Sequence, residues 1–200
     1  GKNMDATKKQ SRHEAIVNAA YRLLAAKGYD GTSMLSIAKA AQASNETLYR
    51  WYGDKRGLFE RMVEDNAALM KHLLETSIEK QDDPRKTLEQ FSLVFLETLL
   101  DERAILLNRV AATDPTGELG RSISAKGRDV IEPLIGQLMT AIKPRQQVQE
   151  REMTRWYVSL LVGDLQIKRV IGVQPVLNRQ EIVERCQTGL GAFYRLVGAQ

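Results

Sequence analysis

Asn45, Glu46 and Arg50 lie close together in the chain, and at helical spacing positions 46 and 50 share a face with 45 beside them. Presented outward from a short helix, side chains of these types read base edges. Arg50 can bind guanine through two hydrogen bonds, Asn45 can pair with adenine, and Glu46 can accept from the cytosine amino group. Tyr49, Trp51 and Tyr52 stand among them, and no helix buries all three on one face, so at least one aromatic must be exposed. Nothing comparable suggests catalysis, and we find no nucleophile paired with a base. His13 and His72 read as plain polar positions, and Cys186, at helical spacing from Ile182 and Leu190, reads as a packed thiol. One cysteine forms no internal disulfide, and with only two histidines beside it no zinc cluster is expected, so the expectation is no metal, no cofactor and no catalytic residue. Gly189-Leu190-Gly191 falls late in a helical stretch and is no dinucleotide loop, and Asn45-Glu46-Thr47 matches a glycosylation acceptor only formally.

Charge supports the same segment. Residues 1–57 carry ten Lys or Arg against five Asp or Glu, whereas residues 58–200 carry nineteen against twenty. The net charge of +4 is therefore concentrated at the front, as in a polyanion-binding head on a neutral body. With 43% hydrophobic and 27% charged residues, the 200-residue chain has apolar surface enough for a core. It shows no signal-peptide core and no charge-free stretch of membrane-spanning length, which leads us to expect a cytoplasmic protein without a membrane partner.

The elements that must position these residues read as helices. No proline precedes Pro84, and apolar residues recur three and four apart. Ser11 with Glu14 predicts the start of a first helix, whose stripe Ile16, Ala20, Leu23 and Leu24 stops at Lys27-Gly28. Ser33 predicts the cap of a two-turn helix, and Ser44 the cap of another, with Leu48 and Tyr52 inward. Gly53-Asp54 then opens a long helix. Beyond it, prolines punctuate helices expected at about 84–100, 102–113, 117–142, 147–171 and 179–197, with Pro133 kinking or splitting the third and Asn178 with Glu181 opening the last. The reading is all-α: a flexible basic tail over 1–10, a helix-turn-helix domain over 11–57 and a helical domain over 58–200.

The stretch Thr32–Phe59 resembles the DNA-binding domain of the TetR/AcrR family of bacterial transcriptional regulators. The resemblance rests on Ile37-Ala38, Ser44, Thr47-Leu48-Tyr49, Tyr52, Lys55 and Leu58-Phe59, and covers about residues 11–60. It implies a three-helix head whose third helix enters the major groove, with Ser33, Tyr49, Trp51 and Lys55 meeting phosphates and Ser44 and Thr47 also at the DNA face. Three positions depart from the family: Gln42 stands where it usually has glycine, Glu46 where a small residue is common, and Trp51 where histidine is. Gln42 therefore has to bear a positive φ or the turn must change.

Further along, Leu161-Val162-Gly163-Asp164 and Phe193-Tyr194 are weakly similar to one subgroup of the family's ligand-binding domains. By that similarity the last two long helices form a homodimer interface, with Gly163, Gly189 and Gly191 allowing close approach. On the same resemblance the central helices, about 60–142, are expected to enclose a pocket for a small hydrophobic or aromatic effector, with Phe95, Leu99, Leu106, Met139, Trp156 and Tyr157 as candidate lining and Asn66, Asn108, Arg109 or Arg155 as polar handles. The function implied is a transcriptional repressor released from a palindromic double-stranded operator by that effector. The alternative is a helical DNA-binding or interaction protein without small-molecule control.

Overall fold

The computed structural model describes residues 2–145 and 147–199, and every regular element among them is helical. None of these helices is long and apolar enough to cross a membrane. The chain divides into two compact units, one running to Asp65 and including Leu106–Ile123, the other comprising Asn66–Ile105 and the residues from Ser124 onward. Residues 106–123 thus belong to the first unit, where the sequence predicts them within the helical body.

The first unit is built on α1 (Lys2–Lys27), α2 (Met34–Ala40), α3 (Asn45–Tyr52), the start of α4 (Lys55–Glu79), the end of α6 (Glu102–Ala112) and α7 (Glu118–Ile123). Ile16, Ala20, Ile37, Leu48, Leu58 and Phe59 form its centre, and Leu107, Val110 and Leu119 join them. These last three apolar residues would otherwise face water at a cost of about 1.5–3 kcal/mol each, which is why this stretch belongs here. Polar contacts fasten it: Arg56 Nε donates to Ser122 Oγ at 3.3 Å, and Ser122 Oγ donates to Glu60 at 3.0 Å.

α1 begins at Lys2, so residues 2–10 are helical where a flexible tail was expected, and Ser11 lies within the helix instead of capping it. The segment contains neither Gly nor Pro. Extending an existing helix escapes the cost of nucleation, so good helix formers continue it without burying anything.

The second unit contains the rest of α4, α5 (Pro84–Leu100), α8 (Asp129–Ala141), α9 (Glu150–Val162), α10 (Leu165–Val170) and α11 (Arg179–Val197). Its core holds an aromatic series in which Phe91 stacks on Phe95 at 5.2 Å, Phe95 on Tyr157 at 6.3 Å, and Tyr157 meets Phe193 edge-on at 5.8 Å. Pro133 sits inside α8 without splitting it; the helical register slips one turn earlier, where Ser124–Arg128 form a π turn. The single helix expected over 147–171 is broken at Gly163, which ends α9 at a positive φ of 49°. The Asn178–Glu181 box does open α11. Gly189 meets α9 within the same chain: a Cβ there would approach the Leu160 carbonyl oxygen to 3.2 Å.

Candidate nucleic-acid interface

Local hydrogen bonds set the two short helices. Ser33 Oγ accepts from the Ser36 N–H at 3.1 Å while Ser36 Oγ accepts from the Ser33 N–H at 3.0 Å, so a serine pair closes the N-terminus of α2. The turn that follows places Gln42 at φ 54°, the left-handed conformation its position demands. At the start of α3, Ser44 Oγ accepts from the Thr47 N–H at 3.1 Å and lies 2.7 Å from the Thr47 hydroxyl. Gly53 at φ 83° ends α3 after two turns, its N–H bonding to the Tyr49 carbonyl at 2.9 Å. Asp54 then accepts from the Gly57 N–H at 2.7 Å and starts α4.

These constraints turn one face of α3 outward. Leu48 and Tyr52 point inward, whereas Asn45, Glu46, Tyr49 and Arg50 are exposed. Glu46 and Arg50 form a loose ion pair at 3.9 Å, both side chains mostly in water, so neither is bound to the protein strongly enough to be withheld from another partner. Ser33 and Ser44 are exposed, and Trp51 is half-buried, its ring edge-on to Tyr52.

Two residues expected at the DNA face are turned elsewhere. Thr47 is buried, its backbone and hydroxyl occupied by Ser44, so it positions α3. Lys55 Nζ donates to the Tyr29 carbonyl at 2.7 Å and sits 4.0 Å above the Tyr29 ring, tying the start of α4 to the turn after α1.

His13 is buried, not the plain polar position that its sequence context suggests. Its Nδ1 lies 2.6 Å from the Tyr52 hydroxyl and its Nε2 2.5 Å from Asp65 Oδ2, joining α1, α3 and α4. Burial pushes the Tyr52 hydroxyl up to about 12, Arg61 opposing and Asp65 adding to the shift. The one signal in the sequence is position: His13 continues the Ile16–Ala20–Leu24 stripe toward the N-terminus.

Of the residues expected to hold an effector, the second unit brings Phe95, Met139 and Tyr157 into one core, with Leu99 and Trp156 half-buried against it. All three side chains are buried in that core. The Tyr157 hydroxyl lies 2.7 Å from Ser92 Oγ, and Ser92 donates to the Leu88 carbonyl at 2.6 Å, so the polar pair is internally satisfied. Asn66 is half-buried in the second unit and Arg155 exposed there, whereas Leu106, Asn108 and Arg109 belong to the first.

Residues 16–62 match the profile described as bacterial regulatory proteins, tetR family. Over 46 residues the chain is 41% identical to an uncharacterized HTH-type transcriptional regulator, YdeS, of Bacillus subtilis (strain 168); the match spans 23% of each protein, so the chain covers about a quarter of that relative's length. A TetR-family transcriptional regulator of Mesorhizobium loti has a similar fold, with TM-score 0.73 and 24% identity over 94% of this chain and 96% of that one. NalD, the secondary repressor of the MexAB-OprM multidrug efflux pump in Pseudomonas aeruginosa, superposes with TM-score 0.69 and 21% identity over 93% and 96%.

Proposed function

The chain belongs to the TetR family of bacterial regulatory proteins, and from that premise we propose that it is a homodimeric transcriptional repressor that binds a palindromic operator in the cytoplasm and is released by a small hydrophobic or aromatic molecule. The observation that carries the reading is the outer face of α3. Asn45, Glu46, Tyr49 and Arg50 are exposed on a two-turn helix whose cap and inner face are fully engaged by the protein. Such a helix fits the major groove, where Arg50 and Asn45 meet base edges while Ser33, Ser44, Tyr49 and the Trp51 indole N–H meet phosphates. Lys55 joins them only by leaving Tyr29.

A single reading head per chain calls for a dimer, which places two recognition helices about one DNA turn apart, ~34–36 Å. α9 and α11 supply the interface in this reading, and α4, an unbroken helix contributing to both units, carries the effector's influence to the head. Phe95, Leu99, Met139, Trp156 and Tyr157 are the side chains that an effector would displace. The reading assigns no catalytic residue, metal or cofactor. Mobility shift with fragments of the source genome tests it: the dimer is expected to retard a small set of fragments, and Arg50→Ala to lose them. Equal retardation of all fragments by both proteins would support only unspecific DNA binding.

A further inference from the structure

The first three turns of α1 raise a question that the helix-turn-helix leaves unanswered. Residues 2–12 are all exposed, and the first buried side chain on α1 is His13. About 16 Å of helix therefore stands in water with no apolar face to bury. Extension from the buried part of α1 lets the segment form without such a face, and what it presents to solvent is charge: Lys2, Lys8, Lys9 and Arg12 against Asp5 alone. Cations near a helix N-terminus oppose its dipole, so helix stability does not account for them. Being continuous with the buried part of α1, the segment is brought beside α3, where Lys9 Nζ lies 5.4 Å from the Trp51 ring. The segment also precedes residues 16–62, the part that matches the family profile.

We infer that the exposed start of α1 is a second DNA-binding element, in which Lys8 and Lys9 neutralise backbone phosphates of the duplex next to the stretch engaged by α3. The inference rests on the reading of α3 as a DNA-binding helix. Three features carry it together: a solvated helix, a clear excess of cations, and physical continuity with α3 through Lys9 and Trp51. The occupant is double-stranded DNA because a duplex presents one negative charge per about 1.7 Å of its axis, matching a row of lysines beside a groove-reading helix. Phosphate neutralisation carries no sequence information; it adds affinity and orients the head.

The test requires no knowledge of the operator. The full chain is titrated onto a mixed-sequence 30-base-pair duplex by fluorescence anisotropy across a series of salt concentrations. Lys8→Gln/Lys9→Gln is expected to weaken binding and to flatten the slope of log affinity against log salt by ~0.9 for each phosphate that a subunit no longer neutralises. Lys8→Arg/Lys9→Arg should keep the wild-type slope. Lys80→Gln/Lys86→Gln, which removes the same charge elsewhere, should keep it as well. Circular dichroism melts of each variant confirm folding, since all four lysines are exposed. If the glutamine pair at 8 and 9 retains the wild-type slope, or the pair at 80 and 86 flattens it equally, the inference is overturned while the reading of α3 stands. If the wild-type chain binds no duplex at any salt concentration, both fall.

Discussion

The Tyr52 hydroxyl lies 2.6 Å from Nδ1 of His13, linking the inner end of the recognition helix to α1 inside the head. Asp65 takes the other ring nitrogen at 2.5 Å. Both imidazole nitrogens are thus engaged, which fixes the ring and, through Tyr52, the seat of α3.

Tyr52→Phe keeps the ring and deletes the hydroxyl, leaving Nδ1 buried without that partner. Urea unfolding is expected to show a destabilisation of about 1–3 kcal/mol. In a double-mutant cycle with His13→Ala the two changes should couple and not add, since both remove the same hydrogen bond. Additive effects would mean that the hydrogen bond contributes nothing of its own.

Gln42 holds φ 54° where glycine does so at no steric cost. Gln42→Gly should raise stability by roughly 0.5–1 kcal/mol, the relief of a strained left-handed residue exceeding the entropy that glycine adds to the unfolded chain; denaturant midpoints check the sign. Gly57 presents the opposite case, because a Cβ there would collide with the Tyr52 carbonyl oxygen. Gly57→Ala is expected to lower the melting temperature and displace the junction of α3 and α4.

Lys55→Ala separates two roles for one residue. The hydrogen bond to Tyr29 predicts reduced thermal stability together with an unchanged salt slope of DNA binding. A slope flattened by ~0.9 per subunit with unaltered stability would instead show that Lys55 leaves Tyr29 for a phosphate on binding.

Burial pushes the Cys186 thiol from its ordinary value near 9 up to about 11, with Arg179 and Arg185 opposing the shift. The folded state therefore retains a proton that the unfolded chain releases first. This contribution to stability is complete below pH 9 and is lost as pH rises through about 11. Unfolding free energies measured between those two pH values should fall more steeply for the wild type than for Cys186→Ala, and equal slopes would contradict the assignment.

How much of this was legible depended on the reach of each interaction. The caps at Ser33, Ser44 and Asn178 were readable because each closes on a residue three positions ahead. The strained turn at Gln42 was readable too, from the glycine that the family carries there. The partners of His13 lie 39 and 52 residues away, and Tyr29 lies 26 residues before the lysine it holds, so no local pattern revealed either interaction. The family resemblance suggested Phe95 and Tyr157 as pocket lining, but whether interior side chains line a cavity or pack a core depends on several helices at once. The helical start of α1 escaped notice because it buries nothing, and periodicity registers only what is buried.

The central claim is that the outer face of α3 reads sequence, and selection from a random pool of 30-base-pair duplexes tests it most directly. Full-length wild-type chain and Arg50→Ala are each used to enrich bound duplexes, which are then sequenced. The wild type should enrich two half-sites related by two-fold symmetry. Arg50→Ala should lose preference at one position in each half-site, by ~1–3 kcal/mol, while neighbouring positions keep theirs. A wild-type pool without any preferred sequence, or an Arg50→Ala pool identical to it, would contradict the account.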